Sequence, residues 1–471
     1  MTQPVTLPLW LLILILGFAV VTFASHFLFP SVRWYFRRRM ERVVAKLNAR
    51  LERPIQPFKL MRRHDMIMRL IHDPEVMEAV VAEAQETGEP EQVVHARARQ
   101  YAREIVPSFS ASVYFGFATR AARWLVRMMY RVRIGHVAQA EIEQLDPEAT
   151  VIFVMNHRSN MDYILVTHLV ADRSALSYAV GEWARIWPLS RLIRAMGAYF
   201  IRRKDSNSLY RRVLARYVRM ATDQGVTQAM FPEGGLSLTG SLAAPKLGLF
   251  AYMMNGFQPK KRDVIFIPVA VSYDRVLEDR VLIEASRLGT RRFKARIFTV
   301  MGFVLRNLWR KLRGRFRRFG YAAVSFGTPL SLAEFLASER PDPATALANI
   351  LMGRIARVTT VLPVPLVAAA WEDSASMKRE DLVARVEDLV AKLMAHGAVV
   401  HLPGGVAANA ASAGITSLQQ RGILHLDGEN LTIAPEDLPL LAFYAAIVLQ
   451  AQNAPATENA AISGDAEPVT T

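Results

Sequence analysis

The sequence contains no cysteine, so disulfides, thiolate nucleophiles and cysteine metal ligands are excluded. Other signatures of defined chemistry are missing too. There is no H-E-x-x-H pair for zinc hydrolysis, and neither the G-x-G-x-x-G nor the P-loop fingerprint of a nucleotide site. A G-x-S-x-G nucleophile elbow is absent; the stretch Gly235 to Thr239 fails at its last position. No metal and no tightly held organic cofactor is implied. Acidic residues are in deficit, 42 Asp+Glu against 58 Lys+Arg. The resulting net charge of +16 points to acidic partners: nucleic acid, anionic lipid or phosphorylated substrates.

Formal charge is also missing from Leu9 to Phe29, His26 being the one titratable group there. As a helix this run would extend roughly 30 Å, the thickness of a hydrocarbon core. Arg33, Arg37, Arg38, Arg39, Arg42 and Lys46 follow it, and no Lys or Arg precedes it. The expectation is therefore an N-terminal transmembrane anchor over residues 1–30. It would be single-pass in the cell (inner) membrane, with everything from residue 31 in the cytoplasm. A cleaved signal peptide would need a basic residue ahead of the apolar run.

Residues 31–135 are patterned mostly as helix, with polar breaks at Glu52-Arg53-Pro54 and Thr87-Gly88-Glu89-Pro90. From 136 to 330 the pattern changes. Short apolar runs (151–155, 228–231, 264–271, 321–326) alternate with helical stretches such as 208–222, which predicts an α/β core around a mainly parallel sheet. Residues 331–449 read as helical again, and the run Leu438 to Leu449 is too short to span a bilayer, so it predicts a core helix. Residues 450–471, rich in Ala, Thr, Pro and acidic groups, read as a disordered tail. The basic segment Arg306 to Arg318, interleaved with Trp309 and Phe316, suits anionic membrane lipid better than nucleic acid beside a membrane anchor.

Four segments carry the candidate chemistry. Asn156-His157-Arg158-Ser159-Asn160-Met161-Asp162 follows the buried-looking strand 151–155, and strand ends in open α/β sheets are where ligands bind. A histidine there can act as general base, with a carboxylate holding its tautomer; the same spacing also fits a helix-capping Asp beside a surface His. Ser159 and Asn160 lie in the same loop as secondary candidates. The second segment, Gly197 to Lys204, is a short aromatic strand ending in Arg202, Arg203 and Lys204. A guanidinium fork suits a phosphate; basic residues leaving a strand into water is the alternative. In the third, Met230 to Gly235, Glu233 is followed by Gly234 and Gly235, which permit close backbone approach. Ser237, Thr239 and Lys246 come soon after. The fourth is the strand around Pro268, where a missing ladder donor marks an edge, a bulge or a ligand-facing break.

In order and spacing these segments resemble the glycerol-3-phosphate/1-acylglycerol-3-phosphate acyltransferase superfamily, most closely its membrane-bound bacterial glycerol-3-phosphate 1-O-acyltransferases. The motifs stand here as HRSNMDY, GAYFIRR, FPEGG with SLTG and PK following, and the Pro268 strand. The likeness extends upstream to RARQYAREI (96–104) and downstream to LLAFY (440–444), covering most of residues 70 to 445. It implies a central sheet flanked by helices, and a direct mechanism. His157, oriented by Asp162, would deprotonate the hydroxyl of glycerol 3-phosphate, which would attack an acyl thioester on coenzyme A or acyl carrier protein. The resemblance further implies that Glu233 and Gly234 place the acceptor, and that Arg203 with Arg202 holds its phosphate, Lys246 being a weaker candidate.

Two departures matter. Leu236 and Leu238 stand where the family usually has arginines that meet glycerol phosphate, removing contacts worth about 1.5–3 kcal/mol each. Ala445-Ala446 replaces an arginine-asparagine pair. An acceptor with its own acyl chain, lysophosphatidate, is thus a second reading. A non-catalytic basic membrane-associated binding protein is a third.

Overall fold

The computed structural model describes residues 8–171, 173–181, 189–202, 207–258, 261–289, 309, 313, 317–338, 340–371 and 376–453. The chain divides into two compact units, Met1–Ile55 and Gln56–Thr471.

The first unit is essentially one helix, Leu9–Asn48. The expected boundary at residues 30 and 31 falls inside it. Leu9, Trp10, Ile13, Leu14, Leu16, Phe18 and Val20 are exposed along its first turns. Among the described residues no helix is long and apolar enough to cross a membrane. The side chains of 21–30, part of the expected anchor, lie outside the described set.

The second unit is built on a sheet whose strands are β1 (Arg131–Val137), β2 (Thr150–Met155), β3 (Ser177–Gly181), β4 (Tyr199–Ile201), β5 (Gln228–Met230), β6 (Val264–Tyr273), β7 (Tyr321–Phe326) and β8 (Leu330–Ser331). They lie in the order β1-β7-β6-β2-β5-β3-β4, with β8 pairing β6. From β6 to β4 every pairing is parallel, whereas β7 and β8 run antiparallel to β6. The fold is therefore mixed α/β with a mostly parallel central sheet, as expected.

Period-2 alternation sorts the strand side chains into two cores. Val151, Phe153 and Met155 of β2 join one apolar cluster; Ile152 and Val154 join the other. Strand β6 divides likewise, Ile265, Ile267, Val269 and Val271 to the first and Val264, Phe266 and Ala270 to the second. On the second face lie the helices Arg63–Ile71, Pro74–Thr87, Glu91–Ile105 and Ser208–Asp223. The last of these is capped by the Asn207 side chain, which accepts the Tyr210 N–H, and it buries Leu209, Val213, Tyr217 and Val218 along one face. On the first face lie Thr119–Met129, Asp162–Val170, Pro363–Ala370, Ala407–Gln420 and Leu438–Gln452.

Pro268 occupies a gap in the ladder on one edge of β6. Ile265 and Phe266 pair with β8, while Val269 onward pairs with β7. The Pro268 carbonyl accepts the Gly327 N–H at 2.8 Å on that same edge. A residue's N and O face the same neighbour in a strand, so the missing donor falls where one partner gives way to the next. Its place is structural.

The C-terminal part holds the expected core helix, Leu438–Gln452. It also carries a three-stranded antiparallel sheet that the helical reading of 331–449 missed: β9 (Ser376–Lys378), β10 (Leu424–Asp427) and β11 (Asn430–Ile433). These strands are three or four residues long, too short for a period-2 signal to emerge.

Candidate active site

The candidate site lies at the C-terminal ends of β2 and β5. Asn156 continues the β2–β6 pairing with its side chain: Nδ2 donates to the Val271 carbonyl at 3.0 Å and Oδ1 accepts the Val271 N–H at 2.7 Å. That fixes the point where the backbone leaves the sheet. His157 comes next, with side-chain exposure of 3%, and Asp162, fully buried, opens the helix Asp162–Val170.

His157 Nδ1 and Asp162 Oδ2 are 2.9 Å apart. The same carboxylate oxygen accepts the N–H groups of Arg158 (2.7 Å) and Ser159 (3.1 Å), and Oδ1 accepts the Tyr273 hydroxyl at 2.8 Å. With four donors converging on it the carboxylate is an acceptor, so Nδ1 carries the proton and Nε2 is the ring's basic nitrogen. Nε2 has no protein partner among the described residues. Phe231 stacks on the imidazole at 4.1 Å between ring centroids, and Tyr163 meets it edge-on at 5.5 Å. The rotamer is thus held by a hydrogen bond and two rings. Neither a surface histidine nor a simple helix cap describes this pair.

Glu233 binds the histidine from the other side. Its Oε1 accepts the His157 N–H at 2.7 Å and its Oε2 accepts the Ala243 N–H at 2.9 Å. Burial raises its pKa above the ordinary carboxylate range, against the pull of those two N–H groups and of the Arg158 charge. Ser237 adds a second tie, its N–H donating to the His157 carbonyl at 2.9 Å. Gly234 has φ of +66°, a conformation glycine adopts without strain, and a Cβ there would meet Lys246 Cγ at 3.1 Å. Gly235 is buried in the same turn, and Lys246, exposed, donates its backbone N–H to the Pro232 carbonyl at 2.7 Å.

The remaining predicted residues have other settings. Ser159 Oγ donates to Glu278 Oε2 at 2.8 Å, and Asn160 donates through N and Nδ2 to Glu278 Oε1. Arg202, expected to fork around a phosphate, instead forks around Glu104. Its Nε and Nη2 lie 2.8 and 2.6 Å from the two carboxylate oxygens, with Tyr101 and Tyr210 against the guanidinium. Arg203 and Lys204 lie outside the described residues, as does most of the basic segment 306–318 and the tail beyond 453. Leu236 and Leu238 are partly buried and pack against the first core.

Arg158, Tyr273, Glu278 and Phe231 were not singled out from sequence. Arg158 is 4% exposed, and its Nε and Nη2 have no partner among the described residues. Burial weakens its hold on its proton, while Glu233 and Asp162 strengthen it. Tyr273 could have been found: it lies on the face of β6 shared by Ile265, Ile267 and Val269, at the strand's C-terminal end. Glu278 left no local signal.

Residues 136–272 match the acyltransferase family model, and residues 305–462 match that of the glycerol-3-phosphate acyltransferase C-terminal region. The chain is 32% identical over 287 residues to a glycerol-3-phosphate acyltransferase of Pseudomonas syringae pv. tomato, which covers 59% of this chain and 33% of that protein. It is 30% identical over 355 residues to the protein of the same name from Ectopseudomonas mendocina, covering 70% and 42%. The chain thus spans well under half the length of these curated relatives. The crystal structure of the 1-acyl-sn-glycerophosphate (LPA) acyltransferase PlsC from Thermotoga maritima aligns with 59% of this chain and 90% of that one, at 17% identity and a TM-score of 0.29. The chain thus carries an acyltransferase domain followed by a glycerol-3-phosphate acyltransferase C-terminal region, and over most of its length it is similar to proteins named glycerol-3-phosphate acyltransferase.

Proposed function

We propose that this chain is a glycerol-3-phosphate O-acyltransferase that takes its acyl group from a thioester of coenzyme A or acyl carrier protein. The observation that carries the reading is the buried His157–Asp162 pair at the mouth of the parallel sheet, with Nε2 unpartnered. His157 Nε2 removes the proton from the acceptor hydroxyl as its oxygen attacks the thioester carbonyl carbon. The imidazolium that forms is stabilised by Asp162. Collapse of the tetrahedral intermediate breaks the carbon–sulfur bond, the ester remains, and the leaving thiolate takes the proton back from Nε2. The thioester is already activated, so no covalent acyl-enzyme is needed. Glu233 and the Gly234 turn shape the acceptor side. With Arg202 engaged by Glu104, the nearby cations without an ion-pair partner among the described residues are Arg158 and Lys246.

Lysophosphatidate is the competing acceptor, favoured by the half-buried apolar Leu236 and Leu238. The N-terminal helix associates with the bilayer, the catalytic part lying on the cytoplasmic side. Its exposed leucines and isoleucines, followed by a run of arginines, support this. Membranes carrying the chain, given labelled acyl thioester and each acceptor in turn, should form labelled lysophosphatidate from glycerol 3-phosphate. Product from lysophosphatidate alone would replace the first acceptor by the second. Unchanged function in His157→Ala would leave only a non-catalytic binding protein.

A further inference from the structure

The loop that follows β6 is held at both ends. Toward the site, the Glu278 carboxylate accepts Ser159 Oγ–H at 2.8 Å, Asn160 N–H at 3.3 Å and Asn160 Nδ2–H at 3.0 Å. Ser159 Oγ in turn accepts the Met161 N–H at 3.2 Å. Every residue between Arg158 and Met161 is therefore tied either to Asp162 or, directly or through Ser159, to Glu278. Away from the site, the neighbours of Glu278 are gripped by the C-terminal region. Tyr444 Oη accepts the Val276 N–H at 2.9 Å and donates to Asp279 Oδ2 at 2.6 Å. Arg421 pairs with the same Asp279 oxygen, and both acid and base are almost wholly buried. The helix bearing Tyr444 also reaches the third motif: Gln450 accepts the Leu242 N–H at 2.9 Å.

We infer that Glu278 is a positioning residue, held in place by Tyr444 and Arg421, that sets the conformation of the loop from His157 to Asp162. The inference rests on reading His157 as the base. Glu278 makes no hydrogen bond to His157 or Asp162, so it acts through Ser159 and Asn160. The geometry gives the C-terminal region a task in the reaction without any of its residues touching substrate. Loosening the loop shifts Nε2 relative to the acceptor hydroxyl, and a displacement of about 1 Å lowers turnover about a hundredfold.

The test is steady-state kinetics on the full chain in membranes, with labelled acyl thioester and glycerol 3-phosphate, alongside thermal unfolding. Glu278→Ala is expected to lower kcat roughly 10- to 100-fold with both KM values within about twofold. Glu278→Gln should recover much of the loss, because its amide oxygen still accepts from Asn160 and its NH2 can donate to Ser159 Oγ. Ser159→Ala cuts one of these contacts from the loop side without disturbing Glu278. Adding it to Glu278→Ala should lower kcat by clearly less than the two single losses combined, since the Ser159–Glu278 contact is already gone and only the Met161 N–H tie is newly removed. Parent-like kcat in Glu278→Ala, an acceptor KM raised tenfold at constant kcat, or fully additive losses would each overturn the assignment. If His157→Ala abolishes turnover and Glu278→Ala does not lower it, the positioning role alone falls. Turnover surviving in His157→Ala removes the reading beneath it.

Discussion

Asp162→Asn separates the charge of the carboxylate beside His157 from its shape. The amide oxygen can occupy the Oδ2 position and keep the Arg158 and Ser159 N–H groups, while the amide nitrogen faces Tyr273, whose hydroxyl can turn to accept. The fold therefore loses little. What disappears is the negative charge beside the imidazolium that the proposed mechanism forms during attack. With N and O at 2.9 Å the charge centres lie roughly 4 Å apart, where at an effective dielectric of about 20 the attraction is about 4 kcal/mol. That corresponds to about a thousandfold in rate. Asp162→Ala should behave differently. It strands two backbone N–H groups and a tyrosine hydroxyl, each costing about 1–3 kcal/mol when buried, so it should also melt earlier. Initial rates with labelled thioester, read beside thermal unfolding, distinguish the two. An Asn variant within tenfold of the parent at saturating substrates would refute the claim that Asp162 stabilises a charged histidine.

Three further outcomes follow from the same contacts. Arg202→Ala should destabilise the fold by about 1.5–3 kcal/mol, since it removes the two charge-assisted bonds to Glu104, yet change the acceptor KM less than about threefold; a tenfold rise in KM would restore Arg202 as a phosphate ligand. Gly240→Ala places a Cβ 1.8 Å from the Phe443 carbonyl oxygen at φ of +85°, so calorimetry should show a sharply lower Tm, and an unchanged one would contradict the close approach of helix 438–452. Burial raises the Asp274 pKa to about 7 against the N–H groups of Val364 and Tyr321. The folded state then binds this proton more tightly than the unfolded chain, so its contribution to stability falls as pH rises from about 4 through about 7 and is flat above. Melting temperatures measured from pH 5 to 9 should carry that slope in the parent and lose it in Asp274→Asn.

The pieces of the site legible in the sequence were those written in consecutive residues. His157 and Asp162 close on each other because five positions suffice for a turn that feeds a helix, and the strands at 150–155, 228–230, 264–273 and 321–326 announce themselves as apolar runs. Strand β1, with several exposed positions, and the three short strands of the C-terminal sheet have no such signature. Leu9–Phe29 reads as a membrane span from composition alone, yet among the described residues no helix meets the requirement, and the first unit is one continuous helix past that boundary.

The sequence by itself determined the family resemblance, the order of the sheet-forming runs and the histidine–aspartate pair, because each depends on local spacing or on residue types at fixed offsets. Only the tertiary structure decided what Arg202 and Glu278 are for. A guanidinium binds whichever anion the fold brings to it, here Glu104 from a helix nearly a hundred residues away, and a carboxylate at 278 gains meaning only because parallel packing sets its loop against the one after β2. Such partners are chosen by three-dimensional proximity, on which chain spacing is silent.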